Sequence, residues 1–168
     1  FKNVLIPFQN PARYGRSILE NSSFLVSSAF ADADLHGTGF VARLSGSTAE
    51  FISIWLYMCA GGQPFYLDKQ GKLNLEFKPV LPSWLFSRKE EDGFPKNSFA
   101  FNFLSRILVV YHNPKRKDTF GPQAARIKEI TIIFQDTSTS TLSTSFFSSP
   151  VASDIRDGKV SRIDIALG

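Results

Sequence analysis

Leu44-Ser45-Gly46-Ser47-Thr48-Ala49-Glu50-Phe51-Ile52-Ser53-Ile54-Trp55-Leu56-Tyr57-Met58-Cys59-Ala60-Gly61-Gly62-Gln63-Pro64-Phe65 is the stretch whose reading decides the fold. Ser47 and Glu50 stand at capping-box spacing, in which the hydroxyl accepts from the N3 amide and the carboxylate reaches back to the cap amide. This spacing predicts a helix from Ser47 to Ala60. Gly61, Gly62 and Pro64 stop it, because glycine takes the left-handed C′ conformation cheaply and proline cannot continue the ladder. The residues between leave hardly any polar face, and a helix apolar all round is expected to be buried.

Downstream of Pro64 the texture changes to alternation punctuated by turns. Phe65-Tyr66-Leu67, Asp68-Lys69-Gln70-Gly71 and Lys72 to Phe77 read as a hairpin with Leu73, Leu75 and Phe77 on one face. Pro79 and Pro82 bracket an extended connection, with Trp84-Leu85-Phe86 as its apolar anchor. Arg88 to Gly93 reads as a surface loop. Strands are expected over Ser98–Leu104, Arg106–His112, Ala125–Gln135, Thr139–Phe147 and Val160–Leu167, with no helix among them. Asp157-Gly158 reads as a hairpin turn, and Asp136 to Thr144, rich in Ser and Thr, as an exposed hairpin or sheet edge. The fold class expected is mainly β: a C-terminal antiparallel β-sandwich over residues 64–168, preceded by a helical segment over residues 1–63.

Upstream the signal is weaker. Ile18 to Ala29 fits a short helix or a buried strand, and Gly15, Gly37 and Gly39 interrupt anything longer. Asn21-Ser22-Ser23 matches a glycosylation sequon but is flanked by Phe24-Leu25-Val26, which favours burial. The chain opens at Phe1 without an initiator Met, just ahead of Val4-Leu5-Ile6, and reads as a piece of something longer.

Composition bounds the function. At 168 residues, 43% hydrophobic and 20% charged, the chain is long enough for one substantial core, and its seventeen Phe make much of that core aromatic. A net charge of +4, with one basic knot at Lys115-Arg116-Lys117, falls short of the basic stripe a nucleic-acid binder needs; the knot reads as a solvated turn. The single cysteine, Cys59, excludes an intrachain disulfide and reads as a small buried hydrophobe. It leaves the compartment open, with the cytoplasm slightly ahead. Two histidines, His36 and His112, give no metal pattern, and no apolar run approaches the ~20 residues of a membrane span.

Ser45, Gly46, Ser47 and Thr48 present small hydroxyl side chains and free amides at the positive end of a helix dipole, a favourable place for an anion such as phosphate. From the residues alone, an ordinary cap at Ser47 and a permissive turn at Gly46 are the stronger reading.

The order of several motifs shifts that balance. Gly-Ser-Thr-Ala-Glu-Phe before a Trp-bearing apolar helix, Gly61-Gly62-Gln63-Pro64, Lys78-Pro79-Val80-Leu81-Pro82-Ser83-Trp84, Phe103 to Tyr111 and His112-Asn113-Pro114 together resemble the C-terminal end of cellobiose-phosphorylase-like proteins. These are inverting glycoside phosphorylases. The resemblance runs from about Gly39 to Pro114 and implies that the helix is the last of an (α/α) barrel, closed by the β-sandwich. It further implies that Ser45 stands where the family has a phosphate-contacting Thr, with Gly46, Ser47 and Thr48 completing the site. Glu20 to Ser27 can be laid on the family's Glu-Asn-Gly-Gly segment, with Ser27 replacing a phosphate-binding His, although only 18 residues separate Ser27 from Ser45. The family's general acid is an Asp upstream in the barrel, so no catalytic residue is assigned to this chain. Arg13, Arg16 and Arg43 are further anion donors near the turn in sequence.

On this reading the parent acts on β-glucosides or related oligosaccharides by phosphorolysis, with inorganic phosphate as co-substrate and no other cofactor. Its partners are the oligosaccharide and the upstream barrel, with a homodimer left open and neither nucleic acid nor membrane involved. A hydrolase of the same fold is the nearest alternative. A carbohydrate-binding β-sandwich offering Tyr66, Trp84 or Tyr111 to a sugar face is the next, although Trp84, fixed between prolines and flanked by Leu85 and Phe86, reads as a packing residue. A structural domain that only covers apolar barrel surface is the last.

Overall fold

A computed structural model describes residues 12, 24–40, 45–90 and 93–168. The chain divides into two compact units, Phe1–Trp55 and Leu56–Gly168. In the first, β1 (Phe24–Leu25) pairs antiparallel with β2 (Gly39–Phe40). Between them Asp32 caps a 3-10 turn, Ala33–Leu35, by accepting from the Asp34 amide at 3.0 Å. Within the ambiguous Ile18–Ala29 segment Phe24–Leu25 is strand, whereas Ser27, Ser28 and Ala29 are exposed and belong to neither helix nor strand. Residues 18–23, with the Asn21 sequon and Glu20, lie outside the described residues, as do Arg13, Arg16 and Arg43.

Helix α1 runs Ser45–Ala60, beginning two residues before the expected Ser47. Ser47 is therefore inside the helix and is not its N-cap. The expected burial is also corrected. Ile52, Ile54, Leu56 and Tyr57 are 57%, 50%, 37% and 57% exposed, and only Met58, Cys59 and Ala60 are buried among the helix side chains described. Burial requires a covering surface as well as apolar side chains, and periodicity reports only the second.

The last turn of α1 belongs to the second unit, where each of its four terminal carbonyls is satisfied. Tyr57 O accepts from Gly61 N (3.0 Å), Met58 O from Val80 N (2.8 Å), Ala60 O from Lys78 N (3.1 Å) and Cys59 O from the Tyr111 hydroxyl (2.7 Å). A helix end leaves four carbonyls without intrahelical partners, and here the following connection and one buried phenol supply them all. Gly61 permits this: its φ is +93°, and a Cβ there would sit 3.1 Å from Lys78 Cβ.

The second unit is mainly β, built on two sheets. The smaller, in order β3-β4-β9, contains β3 (Phe65–Leu67), β4 (Leu73–Glu76) and β9 (Phe146–Ser148). The larger, in order β5-β6-β10-β7-β8, contains β5 (Ser98–Phe103), β6 (Ile107–His112), β7 (Ile127–Phe134), β8 (Thr139–Leu142) and β10 (Val160–Leu167). The predicted hairpin is β3–β4, in register Phe65↔Leu75, with Asp68 closing its turn by accepting from the Gln70 and Lys72 amides. Alternating Phe side chains join the sheets. Phe77 meets Phe103 and Phe147 edge-on at 5.2 and 5.9 Å, and Phe65 stacks on Phe103 at 5.9 Å.

Three expectations are corrected here. Pairing is not wholly antiparallel, since β6 and β10 run parallel; β7, β8 and β9 intervene in sequence and give the long crossover that parallel pairing needs. Thr139–Phe147 is not one strand: β8 pairs with β7 and β9 with β4, so the chain changes sheet between them. Finally, a short helix α2, Val151–Arg156, buries Ala152 and Ile155 one turn apart, and Gly158 (φ +81°) follows its C-terminus, so Asp157-Gly158 ends a helix and makes no hairpin.

Candidate functional site

Ser45, Gly46, Ser47 and Thr48 form the first turn of α1. Their backbone stands where a helix has amides without intrahelical acceptors, the arrangement that attracts an anion. Ser27 lies in the exposed segment after β1, where its hydroxyl accepts from Ala29 N at 3.2 Å.

The aromatic side chains separate clearly. Tyr111 is fully buried, donates its hydroxyl to Cys59 O and stacks on Phe101 at 6.1 Å, so it cannot meet a sugar; burial also pushes its phenol pKa well up. The same environment pushes the Cys59 thiol to about 12, which keeps it protonated and unreactive. Trp84 is half-buried on a 3-10 turn, Ser83–Leu85, that follows the buried Pro82. Tyr66 is half-buried on β3.

Phe120, on the loop that leads into β7, is 39% exposed, less than Phe30 at 53% and Phe146 at 40%. That loop is firmly fixed at its base. The Thr119 hydroxyl donates to Pro79 O and accepts from Leu81 N, each at 2.7 Å, and Thr119 N donates to Leu81 O at 3.0 Å. Ala125 N donates to Asp118 O at 2.8 Å and closes the loop, while Asp118 Oδ1 accepts from Ser83 N at 2.6 Å. An open hollow lies on each side of Phe120. One, of about 630 Å³, is lined by Ser83, Arg116, Lys117, Asp118 and Gln123; the other, of about 650 Å³, is mostly apolar, lined by Phe77, Pro79, Val80, Ile127 and Leu167, with Arg126 and the Glu76–Lys78 ion pair (3.0 Å) among them.

The basic knot is not merely a solvated turn. Arg116 donates to the carbonyls of Phe86 (2.9 Å), Ser87 (2.7 Å) and Ser83 (3.3 Å) and to Asn97 Oδ1 (3.2 Å), tying the connection before β5 to the turn after β6. Lys115 and Lys117 are exposed, as the sequence suggests.

A cluster that sequence reasoning missed lies across the parallel pair. His112 Nε2 and Asp164 Oδ1 are 2.7 Å apart, and Arg162 donates to both Asp164 oxygens at 2.6 and 2.8 Å. Burial pushes the Asp164 carboxyl up, but hydrogen bonds and charge from His112 and Arg162 outweigh it and bring the pKa down to about 2. The signal available was Arg162-Ser161-flanked alternation in β10, with Arg162 and Asp164 two apart on one face; His112 lies 52 residues from Asp164.

Among the described residues no group of three or more His, Cys, Asp or Glu is placed to hold a metal ion, and no helix is long and apolar enough to cross a membrane. No protein-family model matches the chain, and no curated protein matches it.

Proposed function

We propose that this chain is the C-terminal part of a carbohydrate-active enzyme, in which α1 is the last helix of an (α/α) barrel and the second unit is the β-sandwich that closes it. One observation carries the reading: α1 exposes apolar side chains around much of its circumference while its final turn is seated among strands. At about 100° per residue, Leu56, Tyr57 and Ile54 stand roughly 40°, 140° and 200° around from Ile52, so one docking surface cannot cover them. A ring of neighbouring helices can. The alternative of a free sugar-binding module loses one of its three platforms, because Tyr111 is buried.

In the proposed reaction an upstream carboxylic acid protonates the glycosidic oxygen while phosphate attacks the anomeric carbon from the opposite face, inverting it. This chain supplies the phosphate side through Ser45, Gly46, Ser47 and Thr48. The test is cleavage of a panel of β-linked glucosides by the full-length parent, with and without phosphate. Ser45→Ala removes one charge-assisted hydrogen bond, about 1.5–3 kcal/mol, and is expected to weaken phosphate by roughly one to two decades with little change in sugar binding. Cleavage that proceeds equally well without phosphate replaces phosphorolysis with hydrolysis, and no cleavage under either condition refutes the enzymatic reading.

A further inference from the structure

We propose that β5 is a docking edge for a second copy of this chain, the two β5 strands pairing antiparallel about a two-fold axis at Phe101 and joining the larger sheets into one. β5 stands at one end of the larger sheet, paired with β6 alone among the described strands. Asn113 N donates to Asn97 O at 2.8 Å, so in this register Phe99, Phe101 and Phe103 turn their backbone groups toward β6. The amides and carbonyls of Ala100 and Asn102 therefore point away from it. Ser98 O, the outward carbonyl before them, accepts from Ser87 N at 2.9 Å, as the alternation requires. Among the described residues nothing bonds the outward groups of Ala100 and Asn102. The smaller sheet is open on the same side, because β3 is its end strand and the stack of Phe65 on Phe103 sets β3 beside β5. Glu76 N on Pro64 O and Asp68 N on Lys72 O leave the backbone groups of Phe65 and Leu67 outward, and Leu67 is 66% exposed.

The opposite side differs, since the chain itself passes there from β8 in one sheet to β9 in the other. End strands are ordinarily blunted by charge, proline or a bulge. β3 and β5 read Phe-Tyr-Leu and Ser-Phe-Ala-Phe-Asn-Phe, without a charged residue or proline, and the β5–β6 register has no shift. Alternating main-chain donors and acceptors fit an extended strand. A second β5 supplies one that matches group for group: Ala100 opposite Asn102 of the other copy, and Asn102 opposite its Ala100, make two hydrogen-bonded pairs that use every outward group of both. Phe101 then lies opposite Phe101 of the other copy, and two uncharged strands meet without like-charge repulsion. A disordered peptide also fits such an edge but has to be ordered on binding, whereas β5 is already extended in both copies. The proposal uses neither α1 nor phosphorolysis.

The experiment is sedimentation velocity of the full chain from about 1 to about 200 μM, with amide hydrogen exchange at the same concentrations. The mass is expected to rise from one chain, 18.7 kDa, toward twice that, with a dissociation constant below about 100 μM. Asn102→Lys puts a cation on an exposed edge position and should weaken the dimer about tenfold or more, with no change in the urea midpoint of the dilute protein. Ala100→Pro removes an outward amide that β6 does not use and should weaken it likewise. Ile54→Glu, on exposed apolar α1, should leave the dimer intact. Exchange at Ala100 and Asn102 should slow as the dimer forms, while Thr139 and Thr141 on the β8 edge stay fast. A monomer throughout overturns the proposal, as does a dimer that Asn102→Lys leaves unchanged or Ile54→Glu abolishes. Growth beyond the dimer also overturns it, because pairing β5 with a different edge does not close. Neither a positive nor a negative result here bears on cleavage by the parent, so the two readings fail separately.

Discussion

The two ends of α1 have much the same apolar character and opposite surroundings. Ile52, Ile54, Leu56 and Tyr57 are exposed, whereas Met58, Cys59 and Ala60 are buried, and Cys59 has no exposed surface. Side-chain hydropathy does not separate them. What distinguishes the last turn is where its backbone partners come from: its carbonyls reach outside the helix, to Gly61, Val80, Lys78 and the Tyr111 hydroxyl. A buried carbonyl needs a partner, so the segment that supplies those partners also covers the turn.

The largest expected effect breaks that arrangement at its one side-chain contribution. Tyr111→Phe keeps the ring stacked on Phe101 but leaves Cys59 O, at a buried residue, without its 2.7 Å donor. The cost expected is about 1–3 kcal/mol of unfolding free energy, measured by urea denaturation. A change below about 0.3 kcal/mol would mean that the carbonyl finds another donor, and would remove the argument that the phenol fixes the helix end.

The opposite face of the same strand sharpens the comparison. Tyr111 faces inward on β6, while His112 next to it joins Asp164 and Arg162 across the parallel pair. The Asp164 carboxyl is held below the usual carboxylate range, at about 2: burial pushes it up, but hydrogen bonds and charge from His112 and Arg162 outweigh that. With the folded value below the unfolded one, its contribution is present above about pH 4 and disappears as pH falls through about 2. With partial exposure discounted for screening, the step is expected to be about 1 kcal/mol. Stability of the wild type compared with Asp164→Asn between pH 5 and pH 2, roughly the window these values set, measures it: the wild type should lose more, and parallel curves would show that the cluster contributes nothing.

How much of this was legible in the sequence follows from how local each cause is. The β3–β4 hairpin, the Gly61 stop and the bounds of β10 were readable because a turn, a φ and an alternation are encoded within a few residues. Mainly β architecture followed from the Phe alternation. The parallel pairing of β6 with β10, the sheet change between β8 and β9, and the His112–Asp164 contact depend on partners far away in sequence, and no local pattern carries them. Arg116 was misread because three consecutive basic residues look solvated until the carbonyls of Ser83, Phe86 and Ser87 are seen to converge on the middle one.

The smallest expected effect is the most direct test of the contrast within α1. Ile54 is 50% exposed, so truncating it removes few contacts in this chain, and alanine is the better helix former. Ile54→Ala should therefore change unfolding free energy by less than about 0.5 kcal/mol here, with either sign acceptable. In a full-length parent where helices surround α1, the same substitution opens a cavity and should cost about 2–5 kcal/mol. Comparing the two by denaturant titration separates a helix waiting for neighbours from one whose exposure is permanent. A small effect in both would leave α1 exposed in the parent as well and defeat the barrel assignment. A loss above about 1.5 kcal/mol in this chain alone would show that Ile54 is already covered, and the exposure on which the assignment rests would fall with it.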